Sequence, residues 1–169
     1  MINLQRPSHQ TIDSYFAFVE ALNNNGDKVW EGYLPEDGES KLDFLHRVLS
    51  RETNPTSGFV HETIYWPCLD DVVIGRISLR HHLNENLSEF GGHVGYEVHP
   101  AYRLKGFATE MLKLVLSTPK ANEVGRILLT CSPENAASIK TIVANGGILE
   151  KTAFVEKWKR ETNYYWITL

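Results

Sequence analysis

The sequence predicts one α/β domain, residues 1–169, with a mixed, mostly antiparallel central sheet of six to seven strands and about four flanking helices. A chain of 169 residues can bury one substantial core and is short for two typical domains. Segments with the period of a strand alternate along it with segments that have the period of a helix. The stretch Gly91–Leu116 joins one of each through a basic turn, and the rest of the chain is organised around it.

In this stretch, Val94–Val98 alternates apolar side chains with glycine and glutamate, which is typical of a strand with two unlike faces. Pro100 then ends the ladder. A helix is predicted after Gly106 from apolar residues that share one face, namely Phe107, Ala108, Met111, Leu112 and Val115. The turn Arg103–Ala108 therefore opens a helix.

A helix start attracts anions because its first N–H groups lack intrahelical acceptors and the helix dipole adds positive charge there. Gly106 lets a bulky anion approach the backbone, small Ala108 keeps the next turn open, and Arg103 and Lys105 add charge at the rim. These properties predict a diphosphate cradle. The alternative is an ordinary helix entry with a glycine in its first turn.

The run R-L-K-G-F-A resembles the R/Q-x-x-G-x-G/A signature of the GNAT superfamily of acetyltransferases. In that family the loop holds the pyrophosphate of coenzyme A, and the preceding strand lies along the pantetheine arm. The resemblance implies acetyl-CoA as cosubstrate. It also implies that the cofactor is bound by Val98, Arg103, Leu104, Lys105, Gly106, Phe107 and Ala108.

The amino-terminal third predicts an edge strand over residues 2–5 and two helices. The first begins at Ser8 or Thr11 and ends before Asn23–Gly26, and the second covers Ser40–Arg51. In the GNAT superfamily these helices and the loop between them select the acceptor substrate. The implied acceptor candidates, whose alternative is a solvated acidic loop, are Trp30, Glu31, Tyr33, Glu36 and Asp37.

The central sheet is predicted from a hairpin, Phe59–Leu69 and Val72–Leu79, that turns on Asp70 and Asp71. The adjacent His81 and His82 would point to opposite faces of a strand, and no third ligand stands nearby, so no metal site is expected.

The carboxy-terminal part predicts a strand over Arg126–Cys131 and a helix over Glu134–Ala144, capped by Ser132. Two closing strands follow, Ile148–Glu156 and Asn163–Leu169. This order of elements is the one expected for the GNAT fold.

A second GNAT motif, N-x-x-S/A-x-x-x-Y followed by glycine, is matched in part by Asn135, Ser138 and Gly146–Gly147. The resemblance implies that Asn135 and Ser138 help to bind the cofactor. The tyrosine that would protonate the leaving thiolate is replaced by Ile142, which cannot donate a proton. Cys131, Tyr165 and a water molecule are the alternatives for this acid.

The expected reaction is transfer of the acetyl group of acetyl-CoA to a primary amine, by direct attack in a ternary complex. A backbone N–H near Val98 can stabilise the oxyanion. His93 is the first candidate for the base, because its ordinary pKa lies in the working range, and Glu97 is the second. The alternatives are a backbone-bonding role for His93 and a surface pairing of Glu97 with His99.

Composition excludes several classes of partner. A net charge of −4 argues against nucleic acid and favours a cationic or neutral acceptor, either a small molecule or a peptide amine. No apolar run is long enough to span a membrane, and the amino terminus has no secretory pattern, so a cytoplasmic location is expected. Cys68 and Cys131 are expected to be reduced core thiols.

Two other functions remain open from sequence. Ile142 at the acid position favours a non-catalytic acyl-CoA sensor that keeps the cradle, and the glycine turn alone would suit another nucleotide-binding domain. The aromatic segment Tyr164–Trp166 could pack in the core or form the edge of a homodimer, and core packing is expected for Tyr165 and Ile167.

Overall fold

The computed structural model describes all residues, Met1–Leu169, and its eight strands form two sheets. The larger sheet has the order β1-β2-β4-β5, with β3 paired to β2, and the smaller has the order β6-β8-β7. Every strand pair is antiparallel. The strands are β1 (Asn3–Gln5), β2 (Glu62–Leu69), β3 (Val72–Val73), β4 (Gly75–Arg80), β5 (Val94–Val98), β6 (Arg126–Cys131), β7 (Ile148–Val155) and β8 (Arg160–Thr168).

Six helices flank the sheets. They are α1 (Ile12–Asn24), α2 (Lys41–Ser50), α3 (Glu85–Glu89), α4 (Phe107–Leu116), α5 (Pro119–Val124) and α6 (Ala136–Ala144). The predicted α/β class with mostly antiparallel strands is confirmed. The predicted single sheet is divided in two, and α3 and α5 were missed because each is too short to show an amphipathic period. Their caps, Asn84 and Thr118, were the available signals.

The hairpin turn predicted at Asp70 and Asp71 and the helix predicted over Ser40–Arg51 are both present, the helix as α2. Asp70 and Asp71 both have positive φ, 49° and 64°, as a tight two-residue turn requires. Ser40 caps α2 by accepting a hydrogen bond from the Asp43 N–H. The predicted start of α6 was wrong by two residues, since the helix begins at Ala136, and its cap is Asn135 and not Ser132.

Both faces of the larger sheet are covered. On one face, Met111, Leu112 and Val115 of α4 are fully buried against β4 and β5, as the amphipathic pattern predicted. On the other face, α1 and α2 pack on β2, where the Tyr15 ring stacks on Trp66 at 4.2 Å between centroids. Two apolar cores therefore enclose the sheet, and β5 forms its open end beside the smaller sheet.

Strands β5 and β6 form no ladder with each other. They meet just before β5, where the His93 N–H donates to the Leu128 carbonyl at 2.7 Å. Gly92 makes this approach possible, since a Cβ there would lie 2.4 Å from the Leu128 oxygen. Beyond this contact the two sheets leave a cleft between them. None of the helices combines the length and apolar character required to cross a bilayer.

Candidate active site

The cleft between β5 and β6 has a volume of about 1010 Å³. Its walls come from β5, the end of β6, the starts of α4 and α6, and part of the segment before α2. A cavity of this size at the junction of two sheets is the expected place for a cosubstrate and its acceptor.

The turn before α4 presents a run of unused backbone donors. The N–H groups of six consecutive residues, Leu104–Thr109, donate to no acceptor in the protein, and the first helical bond runs from Glu110 to Gly106. Leu104 and Gly106 have positive φ, 60° and 84°, and left-handed residues of this kind occur in the backbone concavities that bind anions. A Cβ at Gly106 would meet nothing within 4 Å, so the space over the turn is open.

The two basic residues of the turn are held by the protein. Arg103 donates from Nε to the Val98 carbonyl at 3.0 Å and from Nη2 to Asp27 at 2.7 Å. The bond from Arg103 lowers the pKa of Asp27. Lys105 donates to the Ala101 carbonyl at 2.8 Å. Arg103 therefore fixes the end of β5 with its charge paired to Asp27, and Lys105 contributes an unpaired positive charge beside the turn.

The register of β4 and β5 leaves one backbone edge of β5 open. The bonds from His99 to Ile74 and from Arg80 to His93 fix which residues of β5 face β4. In an antiparallel pair the intervening residues turn their N–H and C=O groups away. The groups of Tyr96 and Val98 therefore face the cleft, where an extended ligand could pair with them.

Tyr96 is a site residue that the sequence analysis missed. Its hydroxyl lies 2.8 Å from the Ser138 Oγ on α6, and both residues line the cleft. Burial raises the pKa of Tyr96, so its phenol stays protonated at neutral pH. Its place between two apolar residues of a strand had suggested only packing.

The other proposed acids differ in position. Ile142 is buried in the core, as its side chain predicts, and Tyr165 is buried there too, outside the cleft lining. Cys131 does line the cleft, but burial raises the pKa of its thiol. Ser138 and Asn135 both line the cleft. The Asn135 side chain caps α6 by accepting a hydrogen bond from the Ser138 N–H at 3.0 Å.

His93 lies at the junction of the sheets and outside the cleft lining. Its Nδ1 accepts a hydrogen bond from the Leu128 N–H at 2.8 Å, and the side chain is 6% exposed. Burial, with a smaller contribution from Arg80, lowers its pKa to about 4. A base role for His93 stays a prediction, and this geometry favours the backbone-bonding alternative.

Glu97 lines the cleft and pairs with Arg76, whose Nε donates to Oε2 at 2.7 Å, and not with His99. Its Oε1 has no partner in the protein and is free to meet a ligand. His99 instead caps the turn after β5 by accepting the Ala101 N–H. Of the two proposed catalytic residues, Glu97 therefore reaches the cleft and His93 does not.

Some of the residues predicted to bind the acceptor also reach the cleft, and others do not. Trp30 and Tyr33 line the cleft, whereas Glu31, Glu36 and Asp37 do not. Tyr33 is buried, with its hydroxyl bonded to Glu62 at 3.0 Å and its ring 3.5 Å from the Arg76 guanidinium carbon. The sequence analysis missed the buried arginines of β4, because a strand that alternates charged and apolar residues is usually solvated on its charged face.

Comparison with known proteins gives a family match. The model of the acetyltransferase (GNAT) domain family matches residues 2–148. No curated protein sequence matches the chain.

Several solved structures share the fold. RimL, the ribosomal L7/L12 alpha-N-protein acetyltransferase, in complex with coenzyme A, has a TM-score of 0.74 and 14% identity over 99% of this chain and 94% of its own. The microcin C7 self-immunity acetyltransferase MccE, with acetyl-CoA and AMP, has a TM-score of 0.71 and 14% identity over 99% and 92%. The aminoglycoside acetyltransferase AAC(6')-Ib, with coenzyme A, has a TM-score of 0.61 and 19% identity over 99% and 94%. At these identities the likeness concerns the fold.

The buried imidazole of His93 predicts a pH dependence of stability. The unfolded chain binds a proton at the ordinary pKa of 6.5 and the folded chain only near 4, so stability falls as the pH falls through this window. The loss from this group is on the order of 3 kcal/mol. The free energy of unfolding, measured with urea between pH 7 and pH 4, should fall in this way for the wild type and for the control His9→Gln, which changes an exposed histidine. For His93→Gln the free energy of unfolding should depend less steeply on pH. The same steepness as in the wild type would contradict the buried, neutral state of His93.

Proposed function

This chain belongs to the GNAT acetyltransferase family, and from that premise we propose that it transfers the acetyl group of acetyl-CoA to a primary amine in a ternary complex. The observation that carries the proposal is the run of unused N–H groups over Leu104–Thr109. Such a run at the start of a helix suits the diphosphate of coenzyme A, and the open space over Gly106 admits it.

The open edge of β5 suits the rest of the cosubstrate. Tyr96 offers its N–H and C=O and Val98 its N–H at the spacing of a strand, which matches the amides of an extended pantetheine arm, whereas the Val98 carbonyl accepts from Arg103. We expect an N–H of this edge to stabilise the oxyanion, since a fixed backbone donor needs no reorganisation. Asn135 and Ser138 lie on the opposite wall and complete the proposed binding site.

Tyr96 is the proposed proton donor. In the reaction the amine nitrogen forms a bond to the acetyl carbon, the bond from that carbon to sulfur breaks, and the sulfur takes the phenolic proton. The phenolate is stabilised by the hydrogen bond from Ser138. This assignment supplies the acid that Ile142 lacks, which removes the main reason for a non-catalytic sensor.

Glu97 is the proposed acceptor of the amine proton. Its free Oε1 can bind an ammonium group or take a proton through water, while the bond from Arg76 holds the carboxylate in place.

The cradle is tested by acetyl-CoA titration of two matched variants. Gly106→Glu puts a carboxylate into the path of the diphosphate, and Gly146→Glu makes the same change at a glycine with the same φ of 84° and equally open surroundings outside the cleft lining. Calorimetry should show binding by the wild type and by Gly146→Glu, and at least about a hundredfold weaker binding by Gly106→Glu, because juxtaposed like charges cost several kcal/mol.

Equal affinity in the two variants would contradict the cradle. No binding by folded wild-type protein would contradict the proposed function as a whole. Circular dichroism of each variant provides the folding control.

The proposed acid is tested by Tyr96→Phe, which removes only the hydroxyl. Thiol release with any accepted amine should slow by about 10- to 100-fold in kcat, near the low end for acid catalysis because a thiolate leaves readily. The affinity for acetyl-CoA should stay within about twofold. Tyr65→Phe, at a partly buried tyrosine outside the cleft lining, should keep the wild-type rate. A wild-type rate for Tyr96→Phe would reject the assignment.

A further inference from the structure

A buried row of charged side chains lies beside the proposed acetyl site. Arg76, Ser78 and Arg80 share one face of β4 and are 3%, 0% and 9% exposed. The strand register sets Glu62 of β2 opposite Arg80, and Glu97 of β5 opposite Arg76. This polar face of β4 is therefore buried, although its sequence pattern suggests a solvated face.

The carboxylates of this row are already engaged. Glu62 accepts from Arg51 Nη1 at 2.6 Å through Oε1 and from the Tyr33 hydroxyl at 3.0 Å through Oε2. Glu97 is paired with Arg76. Three arginines therefore face two glutamates, which leaves one positive charge in excess.

The excess charge belongs to Arg80. Its Nη1 donates to the Gly91 and Gly92 carbonyls at 3.2 and 3.0 Å. Its Nε lies 3.9 Å from the nearest carboxylate oxygen, Oε2 of Glu62, which is too far for a hydrogen bond, and Nη2 has no partner. Both unpaired nitrogens remain accessible to solvent. Arg80 lines the cleft.

The two unused nitrogens form one side of the guanidinium fork. Nε–H and Nη2–H point the same way, and this pair binds the two oxygens of a carboxylate through parallel bonds. Gly95 leaves the Nη2 end of the guanidinium uncovered, because a Cβ there would lie 3.4 Å from Nη2, 3.7 Å from Nη1 and 3.9 Å from Cζ. A single excess charge matches a monoanion.

We propose that Arg80 binds the carboxylate of the acceptor, and that the acceptors are amino acids or other small amino carboxylates. This inference rests on the proposed function, since it assigns the substrate class of the same cleft. Gly95 and Glu97 share a face of β5 about 7 Å apart along the strand. The carboxylate over Gly95 would be held by Arg80, and the amine would lie toward Glu97 Oε1 and the open edge of β5.

This class differs from the cationic or neutral acceptor that the net charge of −4 favoured. The reason is local: Glu31, Glu36 and Asp37 lie outside the cleft lining, where the acidic residues Asp27 and Glu97 are outnumbered by basic ones, namely Lys28, Arg76, Arg80, Arg103, Lys140 and Arg160. The field at the cleft is therefore set by the buried arginines and not by the whole chain.

The test uses pairs of acceptors that differ only in the anion. Each member of a panel of α-, β- and γ-amino acids is compared with its own carboxamide, by thiol release from acetyl-CoA at fixed pH. The wild type should prefer at least one amino acid over its amide by about tenfold or more in kcat/KM, because a site that pairs an anion rejects the analogue without it.

Two variants assign that preference to Arg80. Gly95→Ala places a methyl group against Nη2 at ordinary contact distance and needs no unusual backbone, and Arg80→Lys keeps the charge but removes the fork. Each should lower the amino acid to amide ratio by about tenfold, mainly through KM, with acetyl-CoA affinity unchanged. Arg126→Lys, at an exposed arginine outside the cleft lining, should keep the wild-type ratio. A general loss of stability would lower the activity with the amino acid and with its amide alike, so it would leave the amino acid to amide ratio unchanged.

The outcomes separate the two proposals. Equal or better use of the amides, a ratio that Gly95→Ala and Arg80→Lys leave unchanged, or no turnover of any amino acid by a chain that binds acetyl-CoA would each overturn the carboxylate site alone. Failure to bind acetyl-CoA would overturn the proposed function together with it.

Discussion

The contact between His93 and Leu128 is the constraint on which the site depends. The imidazole Nδ1 takes the place of a carbonyl and accepts the Leu128 N–H, while the His93 N–H donates back to the same residue. This pair of bonds joins the two sheets at one point, and no ladder continues it along β5 and β6. Because β5 then has no partner strand on that side, the N–H and C=O of Tyr96 and the N–H of Val98 remain available for a ligand.

The same arrangement explains how the cleft combines backbone and side-chain recognition. The turn before α4 contributes N–H groups, the edge of β5 contributes strand-like pairing, and the polar face of β4 contributes charge. Buried arginines and glutamates are costly to desolvate, and such pairs are often replaceable by apolar residues without loss of stability. Their presence beside a cleft, with one arginine left over, is therefore better explained by binding than by folding.

The sequence predicted those parts of the site that depend on local backbone. The helix start after Gly106 and the open approach over this glycine follow from short-range rules, and the structure agrees with both. The residues that were missed depend on long-range packing. Tyr96 meets Ser138 across the cleft, and the Arg76 guanidinium on β4 is covered by the ring of Tyr33, 43 residues away in the chain. For His93, a pKa near neutrality suggested a base, but the pairing with a strand 35 residues later makes it a backbone acceptor.

Amide hydrogen exchange with and without acetyl-CoA tests most directly whether the cleft between β5 and β6 receives the cosubstrate. The N–H groups of Leu104–Thr109, Tyr96 and Val98 have no acceptor in the free protein and should exchange quickly. Acetyl-CoA should slow exchange at these positions most strongly, and leave the ladder between β7 and β8 unchanged. Binding of acetyl-CoA without slower exchange at Leu104–Thr109 would contradict the site.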